Sequence, residues 1–298
     1  MAKTETTTKL LARYGRLSSQ RANWENHWQE VADYMMPRKA NITKKRSRGD
    51  KRNELIFDSS PLQALELLAA SLHGMMTNPS TPWFTLKFKD AQMDQNDEAK
   101  LWLESVTADM YTAFNRSNFQ QEIFELYHDL ITFGTAAMYI EEDDEDLLKF
   151  STKHIAEIFI AEDDKGRIDT VYRKFSLSAR ALVQQFGDKV SQNIKVTAEK
   201  DPYQDIDVLH CVYPRADFNP KLKDKENMPF ESVYLEMGSG NELSMSGFKE
   251  FPYVVPRYLK ASHEIYGRSP AMTALPDVKM LNEMSKTTIK AAQKQVDP

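Results

Sequence analysis

The stretch from Glu264 to Pro298 constrains the fold most, because a sharp helix start is followed by a long helical pattern. Tyr266-Gly267-Arg268 is typical of a turn, and Ser269-Pro270 supplies an N-cap oxygen and then a proline at the first helical position. A helix should therefore begin at Pro270. Because Pro276 lacks an N–H and clashes one turn back, the sequence predicts a short helix over 270–275, then a kink or a fresh start for a helix over 276–296.

The last helix has two different stripes. One is small and weakly apolar, and it buries too little surface to hold a lone helix. We therefore expect it to pack closely in an assembly or on chain outside this sequence; the alternative is an ordinary surface helix. The small stripe consists of Ala274, Val278, Leu281, Ser285, Thr288 and Ala292, and the neighbouring stripe carries Lys279, Lys286, Lys290 and Lys294.

Composition excludes several classes of protein. A chain of 298 residues with 41% apolar content allows one large domain or two smaller ones with a real core. No run approaches eighteen apolar residues and the N-terminus is polar, so neither a membrane span nor a secretory signal is predicted, and synthesis in a cytosol is expected. Cys211 is the only cysteine, which excludes an internal disulfide.

Charge is unevenly distributed, although the net charge is only −5. Eight basic residues lie between positions 38 and 52 against Asp50 alone, whereas Glu141 to Asp146 are six consecutive acids. We expect both segments to be solvated loops. The basic segment contains Arg38, Lys39, Lys44, Lys45, Arg46, Arg48, Lys51 and Arg52.

The basic segment is the best candidate for contact with nucleic acid. Its cations could neutralise several phosphates, which would make binding strongly dependent on salt. It contains no aromatic residue to stack on bases, and no base-reading element is evident, so any such contact should be blind to sequence. A surface loop or a contact with protein is an equally good interpretation.

The order of predicted elements indicates an α+β fold, helical over 1–133 and strand-rich over 134–265. One apolar stripe predicts a first helix that Pro37 ends, Ser60-Pro61 opens a second helix, Asn96 or Asp97 caps a third, and Gly134 ends a fourth. Alternation predicts strands over 82–88, 136–140, 155–160, 168–175, 206–213, 230–236 and 252–259, with a short helix from Ser178 to Phe186. We expect Trp83 and Phe84 to pack on Trp24 and Trp28 or on the second helix.

The usual enzymatic constellations are absent from the sequence. It contains no phosphate-binding loop, no zinc-binding helix and no nucleophile elbow, and the six histidines are scattered without metal-ligand spacing. No cofactor or metal is assigned. One enzymatic alternative stays open, a metal-dependent nuclease that uses the acids of Glu141–Asp146 and Glu162–Asp164.

Five short motifs resemble, in order, those of the head-to-tail connector, or portal, proteins of short-tailed phages (podoviruses). Each motif is modest alone, and their shared order along nearly the whole chain carries the resemblance. They are Phe57-Asp58-Ser59-Ser60 leading to Ala69–Gly74, Pro79 and Pro82-Trp83-Phe84; Ser117-Asn118-Phe119 leading to Phe133-Gly134-Thr135-Ala136; Asp164-Lys165-Gly166; Phe175 to Gly187; and Tyr266–Pro270 with Leu275–Lys279 and Leu281–Met284.

The resemblance implies a structural, non-enzymatic virion protein made in the host cytoplasm. Residues 1–265 would form the wing and 266–298 the start of the stem, as an N-terminal fragment without the clip, the returning stem helix or the crown. Such proteins form a ring of twelve subunits at one capsid vertex. Double-stranded DNA passes through the ring without being read, and the ring meets terminase, capsid or scaffold proteins and a tail adaptor, with no membrane involved. Lys279, Lys286, Lys290 and Lys294, the four stem lysines, would face either the channel or a neighbouring subunit.

Overall fold

The computed structural model describes residues 2–44, 47, 49–89, 96–219, 221–222 and 224–296. The chain forms two compact units, one from Met1–Asn26 with Ala156–Tyr253 and the other from His27–Ile155 with Val254–Pro298. Helix α1 (Ala2–Met35) contributes residues to both units. The boundaries of these units do not fall between residues 265 and 266, where the wing is predicted to end and the stem to begin. The wing and stem regions remain a prediction.

The first unit is built on a five-stranded antiparallel sheet in the order β3-β4-β5-β6-β7. The β3–β4 hairpin turns at Asp163–Gly166, as its sequence predicts. Ser178 caps α5 by accepting a hydrogen bond from the N–H of Ala181. The elements are β3 (Ile158–Glu162), β4 (Ile168–Ser178), α5 (Ala179–Phe186), α6 (Gln192–Lys200), β5 (Asp205–Pro214), β6 (Phe230–Glu236) and β7 (Glu242–Phe248).

Alternation along β5 gives this sheet two different apolar faces. Leu209 and Cys211 pack with Leu10 and Leu17 of α1, whereas Val208 packs with Leu182 of α5. The sheet is therefore covered by α1 on one side and by α5 on the other. Sequence periodicity did not predict α6 or β7, and the strand predicted over 252–259 is reduced to two residues, β8 (Tyr253–Val254).

The second unit is mainly helical, with a small antiparallel sheet in the order β2-β1-β8. Helix α4 (Phe119–Phe133) is its most buried element, and Gly134 ends it in the left-handed conformation with φ of 74°. Asn96 caps α3 by accepting from the N–H groups of Glu98 and Ala99. The remaining elements are α2 (Ser60–Met76), α3 (Asp97–Arg116), β1 (Ala137–Asp143), β2 (Leu147–Lys153) and α7 (Pro270–Val296).

The segment 82–88 is extended but belongs to no sheet, so the predicted strand is wrong. Side chains of α3 take the place of a partner strand: the Tyr111 hydroxyl accepts from the N–H groups of Trp83 and Phe84, at 2.7 and 2.6 Å. The Trp83 ring contacts the rings of Tyr111, Phe114 and Phe119, which belong to α3 and α4, where packing on Trp24 and Trp28 or on α2 was expected. The alternation itself was informative, because residues 84, 86 and 88 are half-buried and residues 85 and 87 are exposed.

Helix α7 runs without a break from Pro270 to Val296 and contains Pro276. The predicted end of a helix at 275 is therefore wrong. Proline lacks only its own N–H, and neighbouring residues can continue the helix around it when the ring faces solvent, as the exposed Pro276 does.

Pro276→Ala is expected to stabilise the protein by up to about 3 kcal/mol, since alanine restores a helical N–H and has the better helix propensity. Chemical denaturation monitored by circular dichroism measures the effect. Pro270→Ala is the matched control: it removes a proline from the first helical position, where proline is favoured, and should give no gain. Equal gains in both variants would contradict this assignment of the two positions.

Candidate functional site: the base of helix α7

The chain before α7 meets the end of α4 through two glycines. A Cβ atom placed on Gly134 would lie 2.3 Å from the carbonyl oxygen of Gly267, and a Cβ on Gly267 would lie 2.3 Å from the carbonyl oxygen of Gly134. Real Cβ atoms do not approach oxygen this closely, so both positions require glycine. Sequence reasoning assigned Gly134 only as a helix end and Gly267 only as a turn, and missed their contact.

Three hydrogen bonds that involve the side chains of Thr135 and Ser269 fix this approach. The N–H of Gly267 donates to the hydroxyl of Thr135 at 2.8 Å. The Ser269 hydroxyl donates to the carbonyl of Thr132 at 2.8 Å and accepts from the N–H of Met272 at 3.0 Å. Ser269 is thus the N-cap that the sequence predicts, and the same oxygen ties the start of α7 to the last turn of α4.

Trp28 completes the junction from α1. Its side chain is fully buried, and its indole N–H donates to the carbonyl of Phe133 at 3.0 Å, beside the glycine that ends α4. Its ring meets Tyr266 edge to face, with 5.1 Å between centroids. Trp28 of the first helix therefore holds the base of α7 in place.

Above its base, α7 buries a stripe that shares Val278 with the predicted one but otherwise differs from it. The buried residues are Ala271, Met272, Leu275, Val278 and Asn282, whereas Leu281, Thr288 and Ala292 of the predicted small stripe are exposed. Sequence reasoning also missed Asn282. Its side-chain oxygen accepts from the N–H of Phe57 at 2.7 Å and its amide donates to the carbonyl of Leu55 at 2.8 Å, which pins the chain ahead of α2 onto α7.

The four stem lysines divide into two pairs. Lys279 contacts the carboxylate of Glu30 and lies over the Tyr34 ring, and Lys286 is bonded to Glu283 at 2.8 Å and lies over the Phe57 ring. Lys290 and Lys294 are exposed, as is every described residue from 287 to 296, and neither makes an ion pair with another described residue. The distal third of α7 thus carries two free cations on a helix that emerges from the packed base.

Comparison with known proteins decides the family. Residues 7–298 match the family described as bacteriophage head to tail connecting protein. The chain belongs to this connector family. It is 35% identical to the "Portal protein" of Salmonella phage epsilon15, over 100% of this chain and 54% of that protein, and 35% identical to the "Probable portal protein" of Bordetella phage BPP-1, over 91% of this chain and 50% of that protein. The chain spans about half the length of the curated relatives it matches.

The basic segment of this connector chain is not a free loop where the structure describes it, which corrects the prediction. Arg38 and Lys39 lie in a short 3-10 helix (Pro37–Lys39) against α4. Both Arg38 guanidinium nitrogens that face α4 donate to Glu125 at 2.9 Å, and Lys39 reaches Glu125 at 2.6 Å and Asp129 at 2.5 Å. These two cations are therefore occupied by carboxylates of the same unit.

The remaining described cations of the segment also have contacts within the chain. Lys44 is bonded to Asp33 at 2.7 Å, and the Arg52 guanidinium donates to the carbonyl of Arg38. The Gln29 side chain accepts from the N–H groups of residues 42 and 43, which holds the start of the segment on α1. Lys51 has an interaction too, and Lys45, Arg46 and Arg48 lie outside the described residues. Contact with DNA by this segment stays a prediction.

Burial and charge shift the pKa values of three groups around the 3-10 helix. Burial raises the pKa of Asp129 and outweighs the contact with Lys39. Burial also raises the pKa of Glu125, but hydrogen bonds from Arg38 and Lys39 outweigh it and bring the value to about 2. Burial lowers the pKa of His128, whose Nε2 lies 3.1 Å from Glu66. The cluster therefore links the 3-10 helix, α2 and α4 through groups that differ in proton affinity.

Each of the two acidic stretches contains an aspartate whose carboxylate closes a turn. Glu141–Asp143 belong to strand β1, so their assignment to a solvated loop is wrong. The Asp143 carboxylate accepts from the N–H groups of residues 145 and 146, and Asp163 accepts from those of residues 165 and 167. Within the described ranges, no three His, Cys, Asp or Glu side chains are grouped so that they could hold a metal ion. Nothing in the structure favours the nuclease alternative.

No helix in the part of the chain that the structure describes is both long and apolar enough to cross a membrane.

Proposed function

We propose that this chain is the wing and the beginning of the stem of a phage portal subunit. In the proposed assembly, twelve copies form a ring at one capsid vertex, double-stranded DNA passes through it during packaging and ejection, and terminase, capsid or scaffold proteins and a tail adaptor dock on it. The subunit acts as a structural protein without catalysis, is made in the host cytoplasm and is retained in the virion. Membership of the connector family supports this proposal most directly.

The geometry of α7 supports a role in the channel wall. A conducting helix needs a rigid base and a surface that holds DNA only loosely. The glycine contact and the Ser269 bonds supply the base, and the exposed distal third supplies the surface. Lysine ammonium groups suit this surface because they contact phosphates as exchangeable point charges and do not clamp them bidentately.

Among the four stem lysines, Lys290 and Lys294 are the stronger candidates for contact with DNA. Lys279 and Lys286 already have carboxylate and aromatic partners within the chain, so removing their charge affects local packing as well. We therefore propose Lys290 and Lys294, and not all four lysines of α7, as the contacts with DNA, because these two make no ion pair within the described chain.

The experiment is Lys290→Gln/Lys294→Gln in the full-length protein during phage growth, with Lys279→Gln/Lys286→Gln as the matched control. Lysine and glutamine have similar helix propensity, so only the charge is lost. Rings should form normally in electron micrographs while the amount of DNA packaged or retained changes. If the two lysines instead pair with acids of a neighbouring subunit, ring assembly should weaken, most of all at low salt. If both the rings and their DNA content are normal, the lysine stripe contacts neither DNA nor a neighbouring subunit and serves only to keep the helix surface soluble.

A further inference from the structure

Helix α2 is attached to α4 by polar side-chain pairs and by few apolar side chains. Every residue of α2 is described, and only three of the 17 are buried, Leu65 and Ala69 among them. The polar pairs printed by the described geometry are Glu66 with His128, His73 with Gln120, and Thr77 with Tyr127, at 3.1, 2.8 and 3.2 Å. Each of these pairs therefore carries a substantial share of the contact between the two helices.

His128 is a buried member of these pairs with one ring nitrogen unused. Its side chain is 1% exposed, and its Nδ1 has no hydrogen-bond partner among the described residues. The Phe124 ring stands nearly perpendicular to the imidazole, with 4.7 Å between centroids. The contact with Glu66 places the proton of the neutral ring on Nε2, from which it donates to the carboxylate. A neutral imidazole fits this site, because its Nδ1 then needs no acceptor.

The charges around His128 come from the three elements that meet there. They are Glu66 of α2, Arg38 of the 3-10 helix, and Glu125 and Asp129 of α4 itself. Arg38 is bound to Glu125 and Lys39 to Asp129, so Glu66 is the carboxylate of this described group that no Lys or Arg pairs with. Glu66 is 61% exposed, and water screens its charge. Burial has the largest effect and lowers the pKa of His128, which favours the neutral ring.

We propose that His128 is a pH-sensitive switch that binds α2 to α4 while the ring is neutral and releases α2 when the ring takes up a second proton. A proton on Nδ1 creates a charged N–H that has no acceptor in this buried site. The ring reaches water for that N–H when α2 moves away from α4, which exposes Leu65 and Ala69. This inference stands on contacts within one unit and does not depend on the proposed role of α7.

The direction of the effect with pH follows from the two forms. With α2 in place, the pKa of His128 lies below its ordinary value of 6.5, so the released form binds the proton more readily and gains population as the pH falls below that value. Asp129 acts in the opposite direction, because burial raises its pKa and low pH therefore favours its buried state. Acid release of α2 is thus not attributable to Asp129.

The test is amide hydrogen exchange of the whole chain at pH 7 and pH 5, expressed as protection factors so that the intrinsic pH dependence of exchange is removed. Protection of α2 should fall roughly fivefold or more at pH 5, whereas protection of α5, in the other unit, should not. In His128→Gln the amide still donates to Glu66 but takes up no proton, so protection of α2 should not depend on pH. His73→Gln is the matched control: it alters the other histidine of the same contact, which is half-buried, and should keep the fall.

The unaltered chain decides the matter even if His128→Gln folds poorly. Unchanged protection of α2 at pH 5 would overturn the proposal, and increased protection would do so by showing that the charged ring strengthens its bond to Glu66. An equal fall in α5 would show general unfolding by acid and overturn it too, as would a fall that persists in His128→Gln or disappears in His73→Gln. Glu66→Gln supplies a second variant: it removes the carboxylate that favours the charged ring, so the fall between pH 7 and pH 5 should be at least as large as in the unaltered chain. A smaller fall in Glu66→Gln contradicts the switch.

Discussion

Gly267→Ala is expected to destabilise the protein by about 3 kcal/mol or more, because the new methyl group would overlap the carbonyl of Gly134 and force the base of α7 away from α4. Backbone lies on both sides of this contact, so no side-chain rotation can relieve it. Gly134→Ala should cost more, by roughly another 1–2 kcal/mol, since Gly134 also has a φ of 74° that a Cβ disfavours. Denaturant unfolding followed by tryptophan fluorescence measures both changes.

Gly74→Ala is the matched control for this prediction. Gly74 lies inside α2 and has no heavy atom within 4 Å of its would-be Cβ, so alanine there should stabilise by about 1 kcal/mol through helix propensity alone. A loss of stability at Gly74 similar to that at Gly267 would show that the glycine contact is not special. In the proposed ring, Gly267→Ala should also reduce assembly in phage, whereas Gly74→Ala should not.

Features with a local cause were predictable from the sequence. The proline after Ser269, the glycine after Phe133 and the cap at Asn96 each mark a helix end through the chemistry of one or two residues. The hairpin at Asp163–Gly166 and the α+β class follow from alternation and element order in the same way. Five ordered motifs then led to the family that the comparison establishes.

Features with a distant cause were not predictable. The basic segment was assigned as solvated because its acids come from α4, almost ninety residues later. The buried stripe of α7 was misplaced because it depends on contact with α4 and on the bonds of Asn282 to the chain at residues 55 and 57, not on the periodicity of small residues. Strand β7 escaped notice because its sequence includes serine and glycine, which weaken the alternation that identifies a strand.

The exposed face of α2 shows a further limit of prediction from apolar periodicity. Leu65 and Ala69 are buried, but Leu67, Met75 and Met76 are largely exposed and Leu68 is 37% exposed. Apolar periodicity identifies the helix and one packed side, but it does not tell an intramolecular contact from a surface that a partner covers. For a family whose members connect two parts of a virion, surfaces of this kind are expected outside the core of one subunit.

Lys39→Met is expected to destabilise the protein by about 3–5 kcal/mol, because it leaves the carboxylate of Asp129 buried without its cation. Asp129 is 0% exposed and its second carboxylate oxygen has no partner among described residues, while the Lys39 side chain is only 12% exposed. Lys149→Met is the matched control, since Lys149 pairs with Glu141 in an exposed position and its loss should cost no more than about 1 kcal/mol.

The dependence on pH separates a lost charge pair from lost packing. The folded-state pKa of Asp129 lies above its ordinary value, so the native state binds this proton more readily than the unfolded state does, and stability owed to it grows as pH falls. Lys39→Met raises that pKa further, and its deficit should shrink as the pH is lowered from 7 towards 5. Over that range Glu125 stays ionised in the unaltered protein, where its pKa is about 2; in Lys39→Met it loses the hydrogen bond from Lys39 that lowers this pKa and keeps those from Arg38. The double variant Lys39→Met/Asp129→Leu should recover most of the stability at pH 7, because an apolar pair of similar volume leaves no charge to bury. If the loss of folding stability is constant with pH and persists in the double variant, it arises from packing of the lysine side chain and not from the charge pair.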